Sequence, residues 1–159
     1  MTIDIITLGS IKEKYLQDAI KDYKKRLSKY IKLNIIELKE VRGPKQLNDT
    51  LVTQMLDEEY ELILKCLKPN TYIFALAIEG KHLTSESLTQ KINQVLTYSS
   101  GHITFIIGSS HGLSEKIKAK ANYLLSFSTM TFPHQLMRVI LLEQLYRAMK
   151  IKHNEPYHK

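Results

Sequence analysis

The chain has 159 residues and a formal net charge of +7, with 43% hydrophobic and 25% charged residues. That balance fits one globular domain spanning 1–159 with a sizeable core, and it excludes a disordered or low-complexity chain. The apolar runs are strand-length and flanked by charge, so no membrane partner is expected, and the basic excess points to a polyanion, RNA before a lipid surface.

Taken in order, Ile3 to Leu8 is a buried first strand closed by Gly9-Ser10. The opening Met1-Thr2-Ile3-Asp4 carries an acid and no basic stretch, so no secretory signal is expected and the cytoplasm is the expected compartment. Ser10 is the expected N-cap of a helix on which Ile11, Tyr15, Ala19, Tyr23 and Leu27 recur every four residues, with Leu16 and Ile20 beside them. Its other face carries Lys21, Lys24, Lys25, Arg26 and Lys29. Two readings of that face stay open: a solvated surface balanced by Asp18 and Asp22, or a surface that tracks RNA phosphates, with Lys24, Lys25, Arg26 and Lys29 as the contacts. Leu33 to Leu38 is a second strand, and Val41-Arg42-Gly43-Pro44 a turn. A helix is expected over Leu47 to Leu67; within it, the single Cys66 has no partner for an intrachain disulfide and reads as a small core side chain.

Tyr72 to Ile78 is continuously apolar, as in a parallel strand covered on both faces, and is followed by the loop Glu79-Gly80-Lys81. A helix opens near Thr84-Ser85-Glu86, and Ile103 to Ile107 is the fourth strand. Gly108 to Gly112 is a small-residue loop, and Ser114 with Glu115 starts a short helix. Tyr123 to Phe127 is the last strand; a loop through Phe132 and Pro133 then enters a long helix reaching Lys150. That helix is apolar on most of its circumference, which requires cover on more than one side. Two readings stay open: a central core helix, or a helix whose inner face meets its own sheet and whose outer face meets a second copy of the chain. Leu141 is the position assigned to the outward side. The alternation of strand and helix predicts an α/β fold, a mainly parallel sheet with helices on both faces.

Three loops follow apolar strands: Leu76 to Lys81, Gly108 to Gly112 and Phe127 to Phe132. If those strands are parallel neighbours, the loops meet at one sheet edge, where open α/β sheets bind ligands. Gly80, Gly108 and Gly112 then allow close approach to a ligand, and Leu76, Ile78, Phe127, Met130 and Phe132 supply apolar walls, a pocket suited to a purine-bearing molecule. Valine in place of Gly108 is expected to fill that space. The phosphate-binding patterns G-x-x-x-x-G-K-[ST] and G-x-G-x-x-G do not occur. Gly108-Ser109-Ser110-His111-Gly112 carries the letters G-x-S-x-G and sets a serine beside a histidine, but neighbouring residues rarely present both side chains to one reacting atom, so hydrolysis is not expected. The six histidines are scattered without a helical pair, so no metal is expected.

Leu76-x-Ile78-x-Gly80-Lys81, Ile106-Ile107-Gly108-x-x-x-Gly112-Leu113-Ser114, the run from Leu125 to Val139, Glu143 to Ala148 and the terminal Pro156-Tyr157-His158-Lys159 together resemble one family. It is the ribosomal RNA large subunit methyltransferase H family of the SPOUT superfamily, and the resemblance extends over essentially the whole chain. It implies a C-terminal trefoil knot, a homodimer, and transfer of a methyl group from S-adenosyl-L-methionine to ring nitrogen 3 of a pseudouridine in 23S rRNA on the assembled ribosome. It implies cofactor contacts from Leu76, Gly108, Phe127, Ser128, Thr129, Met130, Thr131 and Phe132. One departure stands out: relatives usually carry a glycine where Ser109 stands, and a left-handed backbone there would cost serine on the order of 1 kcal/mol.

An in-line methyl transfer needs aligned donor and acceptor and a route for the acceptor's proton. Candidates are Tyr157 to stack on or orient the base, His158 to take the proton, and Arg138 and Lys159 to hold phosphate. His134 caps or packs the helix start, or takes the proton instead. Two other functions stay open on the sequence: an RNA-binding module that has lost its cofactor, and a tRNA-directed SPOUT methyltransferase.

Overall fold

The computed structural model describes residues 1–98 and 101–159. Strands β1 (Thr2–Leu8), β2 (Lys32–Leu38), β3 (Tyr72–His82), β4 (His102–Ile107) and β5 (Tyr123–Ser126) alternate with helices α1 (Lys14–Leu27), α2 (Asp49–Cys66), α3 (Ser85–Tyr98), α4 (Glu115–Lys120) and α5 (His134–Lys152). The sheet order is β2-β1-β4-β3-β5, and each of these neighbouring pairs is parallel.

Side chains alternate across a strand, so each strand feeds two cores. Ile3 and Ile5 of β1, Phe74 of β3 and Phe105 of β4 join Leu27, Ile92, Leu142 and Leu145 under α1, α3 and α5. Ile6 and Leu8, Ala75 and Ile106 face the other way, toward Ile63 of α2 and Ile117 of α4. Helices therefore cover both faces, as expected. One position breaks the apolar pattern. Asp4 is buried on β1, where its carboxylate accepts from Asn34 Nδ2 at 2.6 Å and contacts His102 Nε2 at 2.8 Å. A buried carboxylate is tolerable with such partners on both sides.

The structure corrects the expected elements at several points. Ser10 does not cap α1; the helix starts four residues later behind Glu13, because Ile11 is drawn into the core and its carbonyl accepts from Gln17. The inward stripe of α1 runs through Leu16, Ile20, Tyr23 and Leu27, and Tyr15 faces solvent. Leu141 does not face outward: it is fully buried beneath the sheet, and the half-buried apolar side chains of α5 are Leu136, Met137, Val139 and Ile140 in its first two turns, with Tyr146 and Ile151 further along. Strand β3 runs on past Ile78 to His82. Leu125 of β5 partners both Leu76 and Lys81, so residues 77–80 bulge from the ladder. A Cβ on Gly80 would come within 2.8 Å of the Leu124 carbonyl, so this glycine serves the approach of β3 to β5 rather than of a ligand.

Candidate active site

Because β4, β3 and β5 are adjacent and parallel, their C-terminal ends lie side by side, and the three loops that follow them do converge. They enclose a cleft of about 560 Å³, open mouth included. Its walls are apolar: Leu76 and Ile78 from β3, Ile107 from β4, Leu125 from β5, Phe127, Met130 and Phe132 from the following loop, and Met137 from α5. Gly108, Ser109, Gly112, Ser126, Ser128 and Thr131 add backbone and hydroxyl groups. No lysine, arginine or carboxylate side chain lines it among the described residues; His134 is its one titratable group. Every residue expected at the cofactor except Thr129 lies on this cleft.

The Gly108–Gly112 turn closes on itself. Gly112 donates its N–H to the Ser109 carbonyl at 2.9 Å and has φ +87°, and a Cβ on Gly108 would fall 2.2 Å from the Gly112 oxygen. A side chain at Gly108 thus collides with the turn's own backbone before it reaches the cleft, which corrects the expectation for valine. Ser109 has no left-handed backbone, so the anticipated strain is absent. Its hydroxyl instead donates to buried Glu59 at 2.9 Å. The next loop is likewise self-tied: Ser126 Oγ donates to the Ser128 carbonyl, and Ser128 Oγ accepts from the Met130 N–H, each at 3.0 Å.

His134, the first residue of α5, borders the cleft and two neighbouring surface depressions. Burial holds its imidazole below the usual histidine pKa, with Glu40 opposing and Arg138 adding to that shift. Arg138, expected to hold phosphate, is only 2% exposed. Its Nη2 donates to the Leu8 and Gly9 carbonyls at 2.8 and 2.7 Å, and Nη1 lies 3.5 Å from Glu37. It fastens α5 to the end of β1 and offers no donor to a surface phosphate.

The tail is not at this cleft. Tyr157 donates to Glu143 at 3.2 Å and packs edge-on against Tyr146. Burial first, and then a bond with Tyr23, push its phenol up to about 12. His158 bridges Glu86 at 2.7 Å and Arg147 at 3.3 Å. Bonding to its own backbone and then to His158 holds the Glu86 carboxyl at about 2. Arg147 lies 10 residues beyond Met137, the last α5 residue on the cleft, roughly 15 Å along the helix. Tyr157 and His158 are therefore remote from the cleft of their own chain. Lys159 is exposed at the end of the tail.

Lys24, Lys25 and Arg26 are exposed on the last turn of α1 and Lys29 just beyond it, with Arg26 paired to Asp22 at 2.8 Å. Lys25, Arg26 and Lys29 line a second, polar depression with Tyr30 and with Tyr146, Lys150, His153 and Glu155 from the C-terminal end of the chain. That second side was not legible in the sequence, because α1 and the end of α5 meet only in the fold. Nor was the role of Glu59, which reads as one more surface acid on an amphipathic helix.

Residues 1–158 match the family model described as "Predicted SPOUT methyltransferase". The chain is 54% identical to the ribosomal RNA large subunit methyltransferase H of Bifidobacterium adolescentis, over the full length of both. It is 53% identical to a protein of Methanococcus vannielii named putative ribosomal RNA large subunit methyltransferase H, and 52% identical to the ribosomal RNA large subunit methyltransferase H of Bifidobacterium animalis subsp. lactis. Both likewise match over the full length of the two chains.

Proposed function

The chain belongs to the ribosomal RNA large subunit methyltransferase H family of SPOUT methyltransferases, and on that premise we propose that it methylates ring nitrogen 3 of a pseudouridine in 23S rRNA on the assembled ribosome. The observation that carries the reading is the cleft beyond β3, β4 and β5: apolar walls, exposed backbone polar groups and no cationic side chain. Those surroundings suit S-adenosyl-L-methionine, whose adenine wants apolar walls and backbone hydrogen bonds and whose sulfonium is repelled by lysine or arginine. They do not suit a polyphosphate, which needs the missing cations.

S-adenosyl-L-methionine supplies, when bound, a methyl carbon that moves from sulfur to the acceptor nitrogen in one in-line step. The chain's own share is alignment, exclusion of water and removal of the N3 proton. The walls from Leu76, Phe127 and Phe132 would hold the apolar part of the cofactor and shed water. His134, kept neutral by burial, has a ring nitrogen free to accept a proton at the cleft mouth. Tyr157 and His158 reach a cleft only from a second copy, so we take the working unit to be a homodimer in which the tail of one subunit serves the cleft of the other. The half-buried apolar residues Leu136, Val139 and Ile140 of α5 are the surface for that contact. The trefoil knot belongs to the same reading. It is supported by the route of segment 127–133, which leaves edge strand β5 and crosses back to deliver α5 between α1 and α3.

Two measurements test the proposal. Titration with S-adenosyl-L-methionine in EDTA should show binding; its absence would favour the RNA-binding module. Mapping modified nucleotides in a strain deleted for the gene should reveal one lost methylated pseudouridine in 23S rRNA; a loss in tRNA instead would sink the ribosomal assignment.

A further inference from the structure

Glu59 is a buried carboxylate that methyl transfer does not use. It sits on α2, 3% exposed, with no lysine or arginine bonded to it among the described residues. Its two oxygens have separate partners: Oε1 accepts from the Val41 N–H at 3.0 Å and Oε2 from the Ser109 hydroxyl at 2.9 Å. Burial raises its pKa, opposed by those two bonds. A charge-bearing side chain sunk in the core without a counter-ion costs stability, which makes its retention informative.

Both partners lead to the cleft. Ser109 lines it, yet its hydroxyl points away from it into Glu59, so the cleft meets the backbone of the turn. The following residue, Ser110, is held from the same side: its hydroxyl and N–H lie 3.0 and 3.4 Å from Glu40 Oε1, and Glu40 immediately precedes Val41. Two successive serines are thus gripped by two glutamates from elements that do not touch the cleft. The turn has no slack of its own, since Gly108 already closes against Gly112. A shift at Ser109 must move the cleft wall.

We propose that Glu59 is a positioning residue for the cofactor cleft, fixing the Gly108–Gly112 turn through the Ser109 hydroxyl. The inference rests on the reading of this cleft as the S-adenosyl-L-methionine site.

The test uses the full-length protein with Ser109→Ala, Glu59→Gln, the double variant, and Asp4→Asn as a control for buried polar loss remote from the cleft. Amide exchange of Gly112, measured without cofactor, should quicken at least about tenfold in both single variants and not in the control, the scale of one lost buried hydrogen bond. The dissociation constant for S-adenosyl-L-methionine should rise about tenfold in both, with turnover at saturating cofactor little changed. The double variant should be no worse than the weaker-binding single one, because both remove the same link. Unchanged Gly112 exchange in Ser109→Ala, which removes a single oxygen, overturns the proposal, and so does an equal affinity loss in Asp4→Asn. If the unaltered protein binds no S-adenosyl-L-methionine, the functional reading fails, while the exchange measurement still decides whether the tether holds the turn.

Discussion

At Gly108 the backbone leaves no room even for a methyl group, since the Gly112 carbonyl lies 2.2 Å from where it would stand. Gly108→Ala should therefore open the turn and destabilise the fold by about 1–3 kcal/mol. S-adenosyl-L-methionine binding should be lost as well; thermal melting with calorimetry checks both, and full binding by a stable variant would contradict the geometry. His134 gives a prediction in pH. Its pKa is depressed by burial, so the folded chain binds this proton less readily than the unfolded one. The associated stability is present above the ordinary value near 6.5 and is lost as pH falls through the depressed one. As the proton acceptor, His134 should give the rate an acid limb with an apparent pKa below that ordinary value. His134→Gln should remove the limb, and an unchanged profile would exclude this role. Single residues were only partly legible in the sequence. The small, apolar character of the cleft-forming residues could be read because composition alone carries it. The duty of Arg138 could not, because its acceptors, Leu8 and Gly9, lie some 130 positions away. The tether from Glu59 to Ser109 was hidden for the same reason.

Among the elements, α5 shows where periodicity fails. A helix apolar almost all round has no phase to read, so Leu141 was assigned outward although it packs in the core. Leu141→Glu should therefore unfold the protein, burying a charge without a partner. Ile140→Glu, on the half-buried side, should leave a folded chain that sediments as a monomer. A stable dimer of Ile140→Glu would move the interface off this stripe. The strands were easier, because β1, β3 and β4 are covered on both faces and appear as mainly apolar runs, interrupted by single polar residues such as Asp4 and Thr104. The continuation of β3 to His82 broke that pattern at Glu79-Gly80. What holds it in the sheet is pairing with β5, a contact that local sequence cannot express. On α1 the stripe was legible at Leu16, Ile20, Tyr23 and Leu27 and failed at Tyr15, which is apolar enough to imitate a core position while standing in solvent.

Across the whole molecule, the tail adjoins the basic face of α1, since Tyr157 packs on Tyr146 and Tyr146 lines one depression with Lys25, Arg26 and Lys29. No residue of either lines the cleft, and their variants should still separate by what each removes. Lys24→Ala with Lys25→Ala removes exposed charges with no bonded carboxylate among the described residues. It should raise KM for ribosomes and flatten its salt dependence, leaving turnover nearly intact. Truncation after Pro156 keeps the Glu155 bonds to Tyr30 and Lys150 but deletes Tyr157 and His158. It should lower kcat while cofactor binding persists, because no tail residue lines the cleft. The separation of roughly 15 Å along α5 between Met137 on the cleft and Arg147 beside the tail then makes a sharper demand. If the tail works across a dimer, a truncated subunit supplies a sound cleft and a Gly108→Ala subunit a sound tail. Unfolding and refolding an equal mixture of these two inactive proteins should restore activity, with about a quarter of the wild-type number of sites for random pairing. Both parents refolded alone should stay inactive. A mixture as silent as its parents would mean that each tail folds back to its own cleft, and the contacts of His158 with Glu86 and Arg147 would have to break during turnover.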